Sequence, residues 1–501
     1  MEIYLTITEC CSPDLIGSIK IKRLMTHNFH QSIIRAYDIR GVYNKTLFDL
    51  DAYFVGKAFG TFLAKKGQQR VVVGCDGRIS SPALKENLIK GLMKAGMHVT
   101  DVGAGPTPML YFSVYHLGAD GGIMVTGSHN PGSHNGFKML LRDRPFFGED
   151  IVGLSRIAAD GKFIDSDEGR FESKDISQDY IERLLSDCVV AESESDLLDE
   201  IDEIEPKKKL KIAWDAGNGA AGEIMKRLSD RIAAEHFLLF EDIDGTFPNH
   251  HPDPTVPSNL QDLIKKVREE NCDLGIAFDG DGDRIGVVDD EGEILWGDQL
   301  LVFYAREILS ENKGATIIAD VKASNVLFDE VKRAGGNPLM WRTGHSLIKA
   351  KMKETKSPLA GEMSGHIFFA DKYYGFDDAL YAAIRTINIV QNSSVKLSTL
   401  RKSLPRTFST PEIRVDCDDD KKFQIVDDLK FNLRKSGVEF SDVDGVRAFD
   451  KNGWWLIRAS NTQPVLVARA EASSSESLVD LKNNLKKQLE SCRVEIPVEL
   501  K

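Results

Sequence analysis

Short apolar runs that end in turn residues alternate with helix-period stretches through the first four-fifths of the chain. The order strand, loop, helix recurs three times. In the first copy, RVVVGCD (70–76) precedes a helical stretch over 81–96, a strand ending at GAGPTP and a helix over 107–117. The strand GGIMVT (121–126) then enters GSHNP, and the strand GFKMLL (136–141) leaves it. The second copy opens on KLKIAWD (209–215) and GNGAAG. A helix over 222–233, a strand near 236–240 and a helix over 258–270 follow. The strand LGIAF (274–278) enters DGDGDR, and IGVVDD leaves it. The third copy has ATIIADVK (315–322), a helix over 324–334, NPLMWRTG (337–344) and a helix over 345–355. PLAGEMSGH then leads to the strand IFFA.

This alternation predicts an α/β fold of mixed or parallel sheets flanked by helices. The period is far longer than a solenoid repeat, so three related domains fit better than an array. From about 405 the pattern changes. Strands at 412–416, 446–450 and 454–458 surround a helix over 421–436, and a last helix covers 475–491. That predicts a smaller C-terminal α+β domain. The expected divisions are 31–174, 175–293, 294–404 and 405–501. Residues 1–30 lack a secretory pattern and are expected to be a disordered extension, with Met25 a candidate start.

Length supports this division, since 501 residues correspond to about three or four domains. A hydrophobic share of 42% excludes wholesale disorder. The net charge of −13, from 64 basic and 77 acidic residues, argues against nucleic acid and anionic membranes as partners. No run approaches the roughly 18 uncharged apolar residues of a membrane span. Seven cysteines, without a CxxC pair, read as reduced thiols of a cytoplasmic protein. The acidic then basic run at 191–209 reads as a solvated surface segment.

Candidate chemistry lies where the third strand of each copy ends, which is where open α/β sheets place ligands. In DGDGDR, Asp279, Asp281 and Asp283 can curl around one hard cation, and oxygen-only ligands suit Mg²⁺. The loop departs from an EF-hand, because Arg284 stands at the sixth position and Asp290 at the twelfth, and a structural turn or a calcium site are the lesser alternatives to Mg²⁺. TGSHNP puts the Ser128 hydroxyl in a sharp loop without the G-x-S-x-G elbow of many serine hydrolases. GEMSGH (361–366) offers a carboxylate and a hydroxyl, the group types that hold sugar hydroxyls. RASNTQP (458–464) joins a guanidinium to two hydroxyls and an amide, a suitable phosphate cradle.

In this order, with RAYDIRG (35–41), KASN at Lys322 and WRTGHSLIK (341–349), the four loops resemble the α-D-phosphohexomutase superfamily. The likeness is greatest to its bacterial phosphomannomutase/phosphoglucomutase branch and runs from about Arg35 to about Leu489. The resemblance implies four domains around a central cleft, a phosphoserine at Ser128 and Mg²⁺ held by Asp279, Asp281, Asp283 and a phosphate oxygen on Ser128. It implies that Tyr37, Arg40, Lys138, Arg284 and His345 line the transfer site, with Lys138 and His345 as acid/base or electrostatic candidates. Lys322, Glu362, Ser364 and His366 would orient the sugar, and Arg458, Ser460, Asn461 and Thr462 would grip the other phosphate.

The implied reaction converts a hexose 1-phosphate to a hexose 6-phosphate through a 1,6-bisphosphate, which would also act as activator. Expected partners are small phosphosugars, and the expected oligomeric state is a monomer, with a dimer the alternative. Met363 in GEMSGH favours mannose or glucose over glucosamine phosphates. The alternatives are a phosphoglucosamine mutase and, from another class, a metal-dependent sugar phosphatase. Position 127 is Gly where many relatives have Ala.

Overall fold

The computed structural model describes residues 26–191, 209–461 and 463–500. Among these residues four sheets follow one another in sequence order. The first contains β1 (Ile39–Val42), β2 (Arg70–Cys75), β3 (His98–Ala104), β4 (Gly121–Val125), β5 (His134–Leu141) and β6 (Arg170–Ser173). Their spatial order is β1-β5-β4-β2-β3-β6. The second contains β7 (Leu210–Asp215), β8 (Ala234–Leu239), β9 (Leu274–Phe278), β10 (Ile285–Asp289) and β11 (Ile294–Leu295), ordered β11-β10-β9-β7-β8. The third is β13-β12-β14-β15, from β12 (Thr316–Asp320), β13 (Asn337–Trp341), β14 (Leu359–Gly361) and β15 (Ile367–Phe369).

One local plan recurs in these three sheets. A parallel strand buried along its whole length delivers a loop, and the next strand returns antiparallel beside it. The pairs are β4 with β5, β9 with β10, and β14 with β15. The three loops so placed are TGSHNP, DGDGDR and the EMSGH turn.

The fourth sheet is wholly antiparallel. It contains β16 (Phe408–Ser409), β17 (Ile413–Asp416), β18 (Phe440–Ser441), β19 (Val446–Asp450), β20 (Gly453–Ala459) and β21 (Val465–Ala472). RASNTQP begins with the last two residues of β20, Arg458 and Ala459, and continues through the connection to β21.

The structure differs from the periodicity in several places. The helices Asp49–Ala64, Glu149–Asp160, Ser177–Leu185, Gly297–Glu311 and Ala379–Asn392 are additional to those the pattern predicts. The helix expected over 222–233 ends at Ser229, because the next residues pair elsewhere. Ile232 bridges Ala191, and the Ala233 N–H donates to Val190 O at 2.8 Å. The expected extension 1–30 includes residues that pack: Phe29 is buried, and His27 stacks on Phe54 at 4.5 Å. Residues 1–25 lie outside the described residues, as does most of the charged run, 192–208.

Glycine brings two helices of the first domain into backbone contact. A Cβ on Gly56 would strike Leu88 O, and one on Gly91 would strike Tyr53 O, so helices Asp49–Ala64 and Ser81–Lys94 pack at glycine range.

Candidate active site

A cleft of about 1050 Å³ is lined by all four domains. Ser128 stands on its floor in the left-handed conformation, at φ +52°, which is costly for a residue with a Cβ. The surrounding contacts hold it there. The Ser128 N–H donates to Thr126 Oγ1 at 2.8 Å. Behind the loop lies fully buried Arg78, whose Nη2 donates to Ser128 O and Asn130 O, both at 2.6 Å. Its Nη1 donates to Pro131 O at 2.6 Å, and its Nε pairs with Asp76 at 3.0 Å. Asp76 in turn accepts the Gly127 N–H. The Arg78 guanidinium lies 2.5 Å from where a Cβ on Gly127 would stand, so glycine leaves room for this packing.

The Ser128 Oγ lies 3.4 Å from Asp279 Oδ2, across the boundary between first and second sheets. Asp279, Asp281 and Asp283 are fully buried, with carboxylate oxygens within 4.8 Å of one another. Asp279 Oδ1 accepts the N–H groups of Asp283 and Arg284, at 3.0 and 3.1 Å, which curls the loop. Asp281 Oδ2 accepts from Thr107 Oγ1, Thr126 Oγ1 and Lys138 Nζ. Asp281 Oδ1 and Asp283 Oδ1 are buried and accept no hydrogen bond among the described residues. Burial and the neighbouring carboxylates of Asp283 and Asp281 push the Asp279 pKa well up. Orphaned oxygens and mutual repulsion are what a cation would relieve, so these three residues fit a hard divalent metal.

Positive charge surrounds the acidic loop. Lys138 Nζ pairs with Asp281 at 2.7 Å and also with Asp283. Burial alone would lower the Lys138 pKa, but the carboxylates of Asp281 and Asp283 outweigh it and hold the pKa above its ordinary value. Arg40 pairs with Asp38 at the edge of the same floor. Arg284 Nε donates to His366 Nε2 at 2.9 Å, and a single bridge pairs Arg284 with His366. The second and third loops are thus joined directly. The His129 pKa is held well below its ordinary value by burial and the charges of Arg284, Arg40 and Lys138. His129 Nδ1 lies 3.2 Å from Ser128 Oγ.

The third loop turns at Gly365, φ +91°, where a Cβ would strike Ile285 O. Glu362 is buried and accepts the Gly344 N–H at 2.6 Å, while Ser364 faces the cleft. His345 stacks on His366 at 5.8 Å and meets the Tyr37 ring edge-on at 6.0 Å. Burial and the Lys349 ammonium hold the His345 pKa well below its ordinary value.

Tyr37 spans three domains. Its hydroxyl donates to Thr343 O at 2.8 Å and accepts from Asn461 Nδ2. Arg458 Nε pairs with Asp444 at 2.8 Å, and the Ser460 hydroxyl accepts the Gln463 N–H at 3.2 Å. Thr462 lies outside the described residues. Every other residue expected from the sequence lies in or against this cleft.

Sequence reasoning missed several neighbours. Arg78 follows β2 in CDGR, a turn that carries no motif of its own. Asp377 is fully buried, 2.8 Å from Lys349 Nζ and 3.1 Å from His366 Nδ1. Lys322 Nζ is held at 3.0 Å by Glu412, a residue outside all four loops.

Comparison with known proteins follows the same four-part division. Models of the phosphoglucomutase/phosphomannomutase family match in sequence order. Alpha/beta/alpha domains I, II and III match residues 31–163, 180–292 and 296–408, and the C-terminal domain matches 412–488. A phosphomannomutase/phosphoglucomutase of Pseudomonas putida is 45% identical over 470 residues, 94% of this chain and 97% of the relative. A phosphoglucomutase of Neisseria meningitidis is 41% identical over 467 residues, 93% of this chain and 98% of the relative. The crystal structure of a phosphoglucomutase/phosphomannomutase family protein from Burkholderia thailandensis superposes with a TM-score of 0.84 at 43% identity. It covers 92% of this chain and 98% of that one.

Proposed function

The chain belongs to the phosphoglucomutase/phosphomannomutase family and is a hexose-phosphate mutase, an isomerase; we propose that it interconverts mannose and glucose 1- and 6-phosphates through phosphorylated Ser128. The observation that carries this reading is the 3.4 Å approach of Ser128 Oγ to Asp279, which sets a nucleophile against an acidic loop from another domain. On this reading residues 31–174 carry the phosphoserine, 175–293 the metal loop, 294–404 the sugar loop and 405–501 a phosphate-gripping lid.

Transfer begins with the sugar phosphate gripped by Arg458, Ser460, Asn461 and Thr462, and its hydroxyls by Lys322, Glu362, Ser364 and His366. The free hydroxyl attacks the phosphorus on Ser128. A new P–O bond to the sugar forms, the bond to Ser128 Oγ breaks, the sugar hydroxyl gives up its proton and the serine oxygen gains one. Asp279, Asp281, Asp283 and a phosphate oxygen would hold Mg²⁺, which when bound neutralises charge on the phosphoryl group. Lys138 stays charged between its two carboxylates, so its role is electrostatic, along with Arg40 and Arg284. Burial and the Lys349 ammonium disfavour protonation of His345, so it lines the transfer site as a neutral, weakly basic imidazole that can orient a hydroxyl by hydrogen bonding. The 1,6-bisphosphate then turns within the cleft and returns its other phosphate to Ser128, and the free bisphosphate serves as activator.

The substrate is a small phosphosugar, and we place the protein in the cytoplasm as a monomer. Among the described residues no helix is long and apolar enough to cross a membrane. Intact mass tests the reading: one phosphate on the purified protein, lost in Ser128→Ala together with isomerase activity, is the expected result. Inorganic phosphate in place of the isomer would make the protein a phosphatase.

A further inference from the structure

The Lys322 loop belongs by sequence to the third domain, yet side chains of the fourth domain hold it on nearly every side. It leaves β12 and enters the helix Asn325–Arg333. Arg447, on β19, is fully buried and stacks 3.6 Å over the Trp454 ring. Its Nη1 donates to Val321 O and Ala323 O at 2.6 and 2.8 Å, and its Nη2 to Asn325 Oδ1 at 2.6 Å. These carbonyls flank Lys322 on either side. Arg469, on β21, donates to Lys322 O and contacts Met363 Sδ in the sugar loop. Glu471 accepts from Ser324 Oγ, the Asn325 N–H and Trp454 Nε1. Glu412, just before β17, takes the Lys322 ammonium at 3.0 Å, nearer than Asp320 of its own domain at 3.8 Å.

A buried guanidinium whose hydrogen bonds go to neutral oxygens is costly to keep. Arg447 is such a group, since the described residues give it no carboxylate within ion-pair distance. The Lys322 ammonium pulls the Glu412 carboxyl down to about 2, so the pair is fully charged at neutral pH. Glu412 and Lys322 both face the cleft. The fourth domain therefore fixes the Lys322 backbone from below and its charged tip from the side.

We propose that Glu412 and Arg447 are positioning residues for Lys322, so that the terminal domain sets where this lysine meets the sugar. The inference rests on the sugar-orienting role proposed above for Lys322. Its consequence is a direct coupling: displacement of the terminal domain carries the lysine tip with Glu412 and the loop backbone with Arg447. Ring contact and phosphate grip are then released together.

A double-mutant cycle on kcat/KM for glucose 1-phosphate tests this, using the full-length, phosphorylated protein. Glu412→Gln keeps size and removes charge, and should lower kcat/KM on the order of tenfold. Lys322→Met should lower it at least as much. Placed in the Lys322→Met background, Glu412→Gln should change kcat/KM by less than about twofold, since the group through which it acts is gone. A repeated tenfold loss in that background would overturn the inference, because Glu412 would then act on substrate or fold by another route. If Lys322→Met alone leaves kcat/KM unchanged, the sugar role of Lys322 fails instead, a distinct result. Arg447→Gln is expected to behave as Glu412→Gln does. Because it also leaves a buried gap, the Glu412 cycle decides the question should Arg447→Gln not fold.

Discussion

Arg78 and Ser128 are joined by a 2.6 Å hydrogen bond from the buried guanidinium to the serine carbonyl. The reactive hydroxyl is thus held from behind by a residue that does not enter the cleft. Arg78→Ala should lower kcat about a hundredfold, the scale expected when a reacting group shifts by about 1 Å. It should also cost about 3–5 kcal/mol of stability, since Asp76 is left as an uncompensated buried charge. Steady-state kinetics and denaturant unfolding would check both, and an unaltered kcat would rule out the positioning role.

The orphaned oxygens of Asp281 and Asp283 predict that a divalent cation stabilises the fold. At 100-fold excess over its dissociation constant, Mg²⁺ should contribute about 2.7 kcal/mol, visible as a rise in Tm. Asp281→Asn and Asp283→Asn should each abolish most of that rise. Thermal melts with and without Mg²⁺ measure this without an activity assay. A Mg²⁺ response that survives in both variants would move the metal elsewhere.

How much of this was legible in the sequence depends on where each residue's signal lay. The three chemical loops announced themselves because each ends an apolar strand and concentrates its unusual residues within six positions. Arg78 and Asp377 act alone, from turns with no local pattern, and only tertiary packing brings them to Ser128 and His366. The helix Asp49–Ala64 carries no clear 3.6-residue stripe, because it is buried on most sides and has Gly56 and Gly60 among its buried positions. β21 is buried along all eight residues, so it lacks the alternation that marks a half-exposed strand. Glu412 had no signal, because its meaning comes from a lysine 90 residues earlier.

Asp378 supplies a pH prediction. It caps the helix Ala379–Asn392 and accepts from the hydroxyls of Tyr180 and Tyr373, yet burial pushes its pKa up to about 6. A folded value above the unfolded one, about 3.9, means that its contribution is complete below pH 4 and is lost as pH rises through 6. Asp378→Asn should therefore gain on the wild type by about 2 kcal/mol between pH 4 and pH 7.5. Urea unfolding at the two pH values reads this out. A constant difference would show that the group ionises alike in both states.

Met363 predicts sugar preference. Its sulfur is held by Arg469, which fixes the middle of the sugar loop. In a coupled assay, mannose 1-phosphate and glucose 1-phosphate should each exceed glucosamine 1-phosphate in kcat/KM by about tenfold or more, the lower end of what pocket contacts discriminate. A tenfold preference for the amino sugar would reverse the assignment.

The contact between Tyr37 and Asn461 closes a sequence separation of 424 residues. Domains of this size fold largely as units, and contacts between distant segments form late. During synthesis, the first three sheets can be complete while the cleft still lacks its fourth wall. Catalytic competence is therefore the last property the nascent chain acquires. In refolding from denaturant, helical circular dichroism should return before isomerase activity, with a lag that Asn461→Ala lengthens.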